Sequence, residues 1–251
     1  MAKDCRQPKS EVHRQFPELC GGIVAFADLR LGKDVEPALK YYKANPLVKG
    51  IRHSLAFCED PLIRGGSCPH CNKGTAYDEK FREGFALLEK YGFVYDCWLF
   101  HEQIDALEDL AKAFPKTTII CDHMAYPLGL SPYKKEEVFP VWKESMARLA
   151  KVPNVMVKLG GFGMRWVGFG FDERPTPASS EELADAWRPY ISHCLTLFGV
   201  DRCIMESNFP MDRITCSYTV CWNALKKCVR NYSLEDRQKL FELNARRVYQ
   251  L

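Results

Sequence analysis

No stretch of this 251-residue chain reaches the run of about 20 apolar residues that a membrane helix needs, so a membrane-spanning segment is not expected. The opening residues, Met1-Ala-Lys-Asp-Cys-Arg-Gln-Pro8, lack the apolar core of an export signal, and the expected location is the cytoplasm. Long blocks of one charge sign are also missing. The 35 Lys and Arg stand against 32 Asp and Glu, interleaved to a net charge of +3, which argues against nucleic acid or a membrane surface as partner. Histidine is scarce, six in all, and no His-X-His pair occurs. Internal repeats and low-complexity tracts are absent. Cysteine is not: twelve are scattered through a large chain without an export signal, so reduced thiols are expected rather than a disulfide framework.

What is present suits one large domain over 1–251, with 47% hydrophobic residues to fill a core. Short apolar runs alternate with amphipathic stretches, the pattern of βα units around a parallel sheet. The predicted strands are Gly22–Asp28, Val48–Leu55, Phe93–Trp98, Thr117–Asp122, Val155–Leu159 and Cys203–Glu206. Between and after them the periodicity predicts helices over Val35–Ala44, Glu79–Tyr91, Glu102–Phe114, Glu136–Lys151, Glu181–Phe198, Tyr218–Arg230 and Leu234–Tyr249. Pro189 is expected to bend or restart its helix, and Ser233 to cap the last one. Residues 1–20 read as an N-terminal extension. Residues 57–77 and 160–180 read as loops on the ligand-binding face, because both follow strands.

Polar residues stand at the downstream end of every apolar run: Asp28, then Arg52 and His53, Asp96, Asp122 and His123, Lys158, and Glu206-Ser207-Asn208. In a closed parallel barrel those ends converge on one rim, where barrel enzymes keep their chemistry. His123 leaves its strand as a candidate metal ligand or general base, with Asp122 expected to fix its tautomer. Arg52 and Lys158 suit a carboxylate or a developing oxyanion, or alternatively pair with Asp28 or Asp96. Cys58, Cys68, His70 and Cys71 offer soft ligands for a structural zinc, against the alternative of free thiols in a loop.

Several segments carry a resemblance. Gly22-Ile-Val-Ala-Phe-Ala-Asp-Leu29, Val48-Lys-Gly-Ile-Arg-His53, Asp122-His123 with Pro127, Pro153-Asn-Val-Met-Val-Lys-Leu-Gly-Gly161, Phe198 to Asp212, and Asn244-Ala-Arg246 with Tyr249 resemble, in order, the amidohydrolase-related TIM-barrel family, which includes sugar-acid and pyrone-dicarboxylate lactonases. The resemblance implies eight strands, a His-X-His pair on the first, a histidine after the sixth and an aspartate after the eighth. The six strands here correspond to the third to eighth. His123 then takes the histidine role, as metal ligand and catalytic group, Arg52 binds substrate, and Asn208 stands in the aspartate's place. The first two strands are missing from this register, so the sheet is expected to be an α/β barrel left open between its first and last strands, with a second copy covering an edge in a homodimer.

With His123 alone left of the family's usual ligands, no metal is firmly expected, although a weakly held zinc or manganese ion is compatible. Water activation then falls to Asp212 or Glu206. Arg52, His53 and Lys158 would serve the oxyanion, Asn208 would orient water, and Asp96 would complete the substrate contacts. The implied activity is hydrolysis of a small lactone or amide. The alternative is an inactive truncated barrel that binds or oligomerises.

Overall fold

The computed structural model describes residues 20–64 and 70–251, so the expected extension 1–20 lies outside the described residues except for Cys20. All six predicted strands are present, all but the fifth trimmed at their ends: β1 (Ile23–Phe26), β2 (Val48–Arg52), β3 (Val94–Cys97), β4 (Ile119–Cys121), β5 (Val155–Leu159) and β6 (Cys203–Met205). They form one parallel sheet in sequence order, β1-β2-β3-β4-β5-β6. Among the described residues β1 and β6 do not pair, so the barrel is open at the place expected.

Six helices follow the strands in turn: α1 (Glu36–Lys43), α2 (Glu79–Tyr91), α3 (Ile104–Ala113), α4 (Lys135–Leu149), α5 (Ser180–Phe198) and α6 (Tyr218–Cys228). The end of α2 shows how the sequence sets a boundary. Asp78 accepts from Phe81 N at 2.8 Å at its start, and Gly92 takes φ +64 to end it, a left-handed conformation open to glycine without a Cβ penalty. α5 runs unbroken through Pro189, contrary to expectation. Pro189 and Asp185, whose carbonyl loses its helical partner, both lie on the exposed face, where water replaces the lost bond. The 160–180 loop contains only two short 3-10 turns.

The period of two along each strand separates two faces. One face turns Ile51, Tyr95, Ile119, Cys121, Val155, Val157 and Cys203 into the main core beneath the helices. The other turns Ile120, Met156 and Ile204 inward, where Ala245, Val248 and Tyr249 pack on them. Those last residues belong to the C-terminal helix α7, built from Leu234–Gln238, a π-turn Lys239–Leu243 and Asn244–Tyr249. Ser233 caps it, accepting from Asp236 N at 3.0 Å. The chain's last helix therefore enters the interior of the open sheet. Lys49 Nζ donates to Gln250 O at 2.8 Å, which moors this end to β2.

Candidate functional site

His123 follows β4 in a backbone turn of unusual hand. His123, Met124, Ala125 and Tyr126 have φ of +54, +53, +56 and +27, four consecutive non-glycine residues with positive φ. Left-handed backbone costs an L-residue on the order of 1–2 kcal/mol, so the surrounding structure must hold this segment. Tyr126 N donates to His123 O at 3.1 Å and His101 N to Tyr126 O at 3.3 Å. Trp142 Nε1 donates to Met124 O at 2.7 Å.

The turn brings His123 Nδ1 into a close hydrogen bond with the Glu206 carboxylate at the end of β6. Its other ring nitrogen, Nε2, makes no hydrogen bond among the described residues. Burial alone would keep Glu206 protonated, but His123, then Lys158 and Arg52, outweigh it and hold this carboxyl below the ordinary range. Asp122, expected to fix the His123 tautomer, points to Arg52 and Lys158 instead. The reversed turn carries the imidazole away from it and toward Glu206.

Three glycines after β5 make room for this group. A Cβ on Gly160 would stand 2.7 Å from Glu206 Cγ, one on Gly161 2.7 Å from His123 Cγ, and one on Gly163 2.6 Å from Asp212 Cβ. The Leu159-Gly-Gly-Phe-Gly163 run is thus a floor on which three titratable side chains lie closer than any larger residue permits. Asp212 is fully buried. It accepts from Asn208 Nδ2 at 2.7 Å and from Gly163 N at 3.0 Å. Burial pushes its carboxyl up to about 6, with the Gly163 and Asn208 donors pulling the other way. The Asn208 amide also reaches Tyr126 Oη at 3.1 Å, and the Tyr126 ring lies 4.8 Å from that of His123.

A second group lies on the inner face. Asp96 pairs with Lys158 and with Arg52 Nη2 at 3.2 Å, and Asp122 contacts Arg52 Nη2 and Lys158 Nζ at 2.9 Å each. Two buried carboxylates facing two cations leave the set neutral, which is what a low-dielectric interior requires. Burial opposes the charge on Arg52 and Lys158, yet Asp122 and Asp96 outweigh it and raise both. Asp96 is raised by burial and by Asp122 beside it. Tyr249 Oη donates to Asp96 Oδ1 at 2.8 Å. Of the quartet only Arg52 is substantially open, with 39% of its side chain exposed. Both cations act on Glu206, which makes the two groups electrostatic neighbours.

His53 stands apart. Since Arg52 faces inward, alternation turns His53 outward, where it is buried against Phe81 of α2 with ring centroids 5.4 Å apart and accepts from Leu29 N at 3.1 Å. Asp28 pairs with Arg30 instead of with Arg52 or Lys158. The four-ligand loop is not assembled among the described residues: Cys71 Sγ lies 3.6 Å from His53 Nε2, Cys58 Sγ lies 3.5 Å from Tyr133 Oη, and Cys68 falls outside them. Sequence reasoning missed Tyr126, Tyr249 and the three glycines. Of these the Gly-Gly-Phe-Gly spacing after a predicted strand was the available signal.

A divalent ion fits this donor set poorly. His123 Nδ1 is bonded to Glu206, both Asp212 oxygens accept from protein donors, and no group of three or more His, Cys, Asp or Glu among the described residues could hold a metal.

The uncharacterised protein y4mH of Sinorhizobium fredii is 32% identical over 234 residues, covering 92% of this chain and 70% of its own length. An L-fucono-1,5-lactonase of Burkholderia multivorans is 24% identical over 236 residues, covering 91% of this chain and 71% of its own. An amidohydrolase of Burkholderia multivorans, solved with bound HEPES and with bound zinc, superposes with TM-scores of 0.74 and 0.73 at 20% identity, covering 92% of this chain and 74% of that one. The open six-stranded sheet is therefore an amidohydrolase-type barrel fold. The model of the amidohydrolase family matches residues 1–251, and the chain belongs to that family.

Proposed function

We propose that this protein hydrolyses a small cyclic ester, a lactone, or a related amide by attack of water that His123 activates. The observation that carries the reading is the asymmetry of the imidazole: Nδ1 is tied to Glu206 while Nε2 has no partner among the described residues. A carboxylate on Nδ1 fixes the tautomer in which Nε2 is the base, and it stabilises the imidazolium that forms. His123 Nε2 takes a proton from water as the oxygen attacks the carbonyl carbon. The exposed part of Arg52 faces the developing oxyanion. When the ring ester bond breaks, the leaving alkoxide takes the proton from His123, and a hydroxy acid is released. Asn208, held by Asp212 and Tyr126, orients the water or a substrate hydroxyl. Asp96 and Asp122 hold Arg52, and Lys158 balances the second carboxylate charge.

The test is a proton-release assay of the purified protein against aldonolactones and dicarboxylate lactones, with and without zinc or manganese. Turnover of one of them is expected, and His123→Ala and Glu206→Gln should each lower kcat by about a hundredfold or more, as for loss of a general base and its orienter. Turnover unchanged in His123→Ala would remove His123 from the reaction.

The same reading places the protein in the cytoplasm, where twelve cysteines scattered through a large chain would stay reduced. It also makes it a homodimer in which a second copy covers the β1 edge. Phe26 at the end of that strand is 62% exposed, and the outer side of β1 has no strand partner among the described residues. Light scattering should give twice the mass of one chain; a monomer at all concentrations refutes the dimer.

A further inference from the structure

We infer that Trp142, a residue of the outer helix layer with no access to substrate, is the positioning residue of His123. The inference rests on the reading of His123 as the base. Trp142 sits on α4, fully buried, with its ring 5.7 Å from that of Phe139 and 5.2 Å from that of Tyr190. Helical neighbours alone account for that packing. They do not account for where its indole N–H goes: across to the backbone carbonyl of Met124, at 2.7 Å, in the middle of the left-handed turn.

A run of four non-glycine residues with positive φ relaxes to right-handed backbone unless something over-determines it. The internal bond from Tyr126 N to His123 O belongs to the turn itself and is lost with it. The bond from His101 N reaches only the last residue, at 3.3 Å. The indole holds the Met124–Ala125 peptide, the second after His123 and the middle one of the turn. Reversal of that peptide swings the Met124 carbonyl away from α4 and lets the left-handed run relax back through Met124 to His123, whose ring then leaves the Gly161 floor and Glu206. The Trp142 donor therefore sets the imidazole indirectly, through one carbonyl.

The chain carries its own control. Trp187 on α5 is as fully buried, but its Nε1 has no hydrogen-bond partner. Replacing either tryptophan by phenylalanine removes the same atoms from a comparable core, and only one replacement removes a bond to the turn. The experiment is nitrogen-15 NMR of the full chain labelled at histidine and tryptophan, with His123→Ala assigning the His123 ring signals. In the wild type the Trp142 indole proton should lie downfield of that of Trp187, as a bonded donor does. In Trp142→Phe the His123 ring nitrogens should shift toward those of a histidine without a carboxylate partner, while in Trp187→Phe they stay in place. On whichever lactone is turned over, Trp142→Phe should lower kcat about tenfold with KM nearly unchanged. Ala125→Gly, which removes the Cβ penalty at one left-handed position, should partly restore both readouts in the Trp142→Phe background.

Unmoved His123 signals in Trp142→Phe, or equal movement in Trp187→Phe, overturn the inference. If Trp142→Phe does not fold, the wild-type spectrum decides: an indole proton at the unbonded position overturns it as well, and a downfield one supports it. Failure of every lactone with the expected spectra would sink the proposed activity and leave the tether standing.

Discussion

Gly161 lies directly against the imidazole of His123: a methyl group on its α-carbon would stand 2.7 Å from both Cγ and Nδ1 of that ring, and Gly161 itself has φ +79. Contact at that distance is well inside van der Waals separation, and the ring is already bonded to Glu206 and packed beside Tyr126.

Gly161→Ala should therefore act twice, on the backbone and on the imidazole. Gly170 supplies the comparison, since it has a similar φ of +68 but nothing within 4 Å of the added Cβ. Gly170→Ala is expected to cost about 1 kcal/mol from backbone hand alone. Gly161→Ala is expected to cost roughly 2–4 kcal/mol, with His123 displaced and lactone turnover reduced about a hundredfold. Urea unfolding and the proton-release assay measure the two effects, and equal behaviour of the two variants would refute the close packing.

Asp212 fixes a pH dependence whose sign is opposite to that of an ordinary paired carboxylate. Its folded pKa of about 6 exceeds the ordinary value of 3.8, so the native state binds the proton more tightly than the unfolded chain. Between these values stability falls as pH rises, and above about 6 the penalty is complete, at most about 3 kcal/mol. Glu206, held below its ordinary range, contributes in the other sense: its stabilisation is present above the unfolded pKa and lost as pH falls through the folded one. In Asp212→Asn the first contribution disappears. Its stability relative to wild type should rise by up to about 3 kcal/mol between pH 4 and pH 7, read from urea midpoints. A difference that does not change with pH contradicts the burial of an ionisable Asp212.

These side chains differ in how far the sequence exposes them. The six strands were legible because Val- and Ile-rich runs ending in polar residues alternate with helical periodicity, and parallel connectivity then sends every strand end to one rim. Arg52, Asp96, Lys158, His123, Glu206 and Asn208 were reachable in this way, whereas Asp212, to which Asn208 donates, stands four residues further along the chain and was legible only through the family resemblance. The rim rule failed for His53 because it took the strand end as a unit; alternation, applied one residue further, turns His53 outward when Arg52 turns inward. The pairing of His123 with Glu206 was hidden for another reason. It depends on the reversed hand of residues 123–126, and His-Met-Ala-Tyr carries no glycine or asparagine to announce positive φ. Tyr249 was hidden too, since its helix has an ordinary pattern and only the missing barrel wall admits it to the interior.

Metal dependence follows from the donor set. Dialysed protein should retain well under one equivalent of zinc or manganese, and a chelator should leave its thermal unfolding unchanged, because the ligands a structural ion would need are engaged with one another. Elemental analysis and thermal scans with and without chelator check this. Near-stoichiometric zinc that is released in Cys58→Ser or Cys71→Ser would move the metal to the 57–77 loop; zinc released instead by His123→Ala would overturn the reading of the site.

Tyr249 joins the C-terminal helix to the charged interior. Its hydroxyl donates to Asp96 Oδ1 at 2.8 Å, its ring centroid lies 5.6 Å from Lys158 Nζ, and it packs beside Ile120, Met156 and Ile204. Tyr249→Phe keeps the ring over the ammonium and the apolar contacts, and removes only the donor to a carboxylate that is fully buried. Loss of one partner from a buried charged group costs about 1–3 kcal/mol. Tyr249→Ala also empties the space between α7 and the sheet, and should cost about 3–5 kcal/mol. The difference between the variants separates the hydrogen bond from the packing. Asp96 also holds Lys158 and Arg52, so Tyr249→Phe should weaken lactone binding through Arg52, raising KM more than it lowers kcat. A Tyr249→Phe protein as stable as wild type to within about 0.5 kcal/mol would mean that Lys158 and Arg52 alone satisfy Asp96, and that the helix is held in the interior by its apolar contacts.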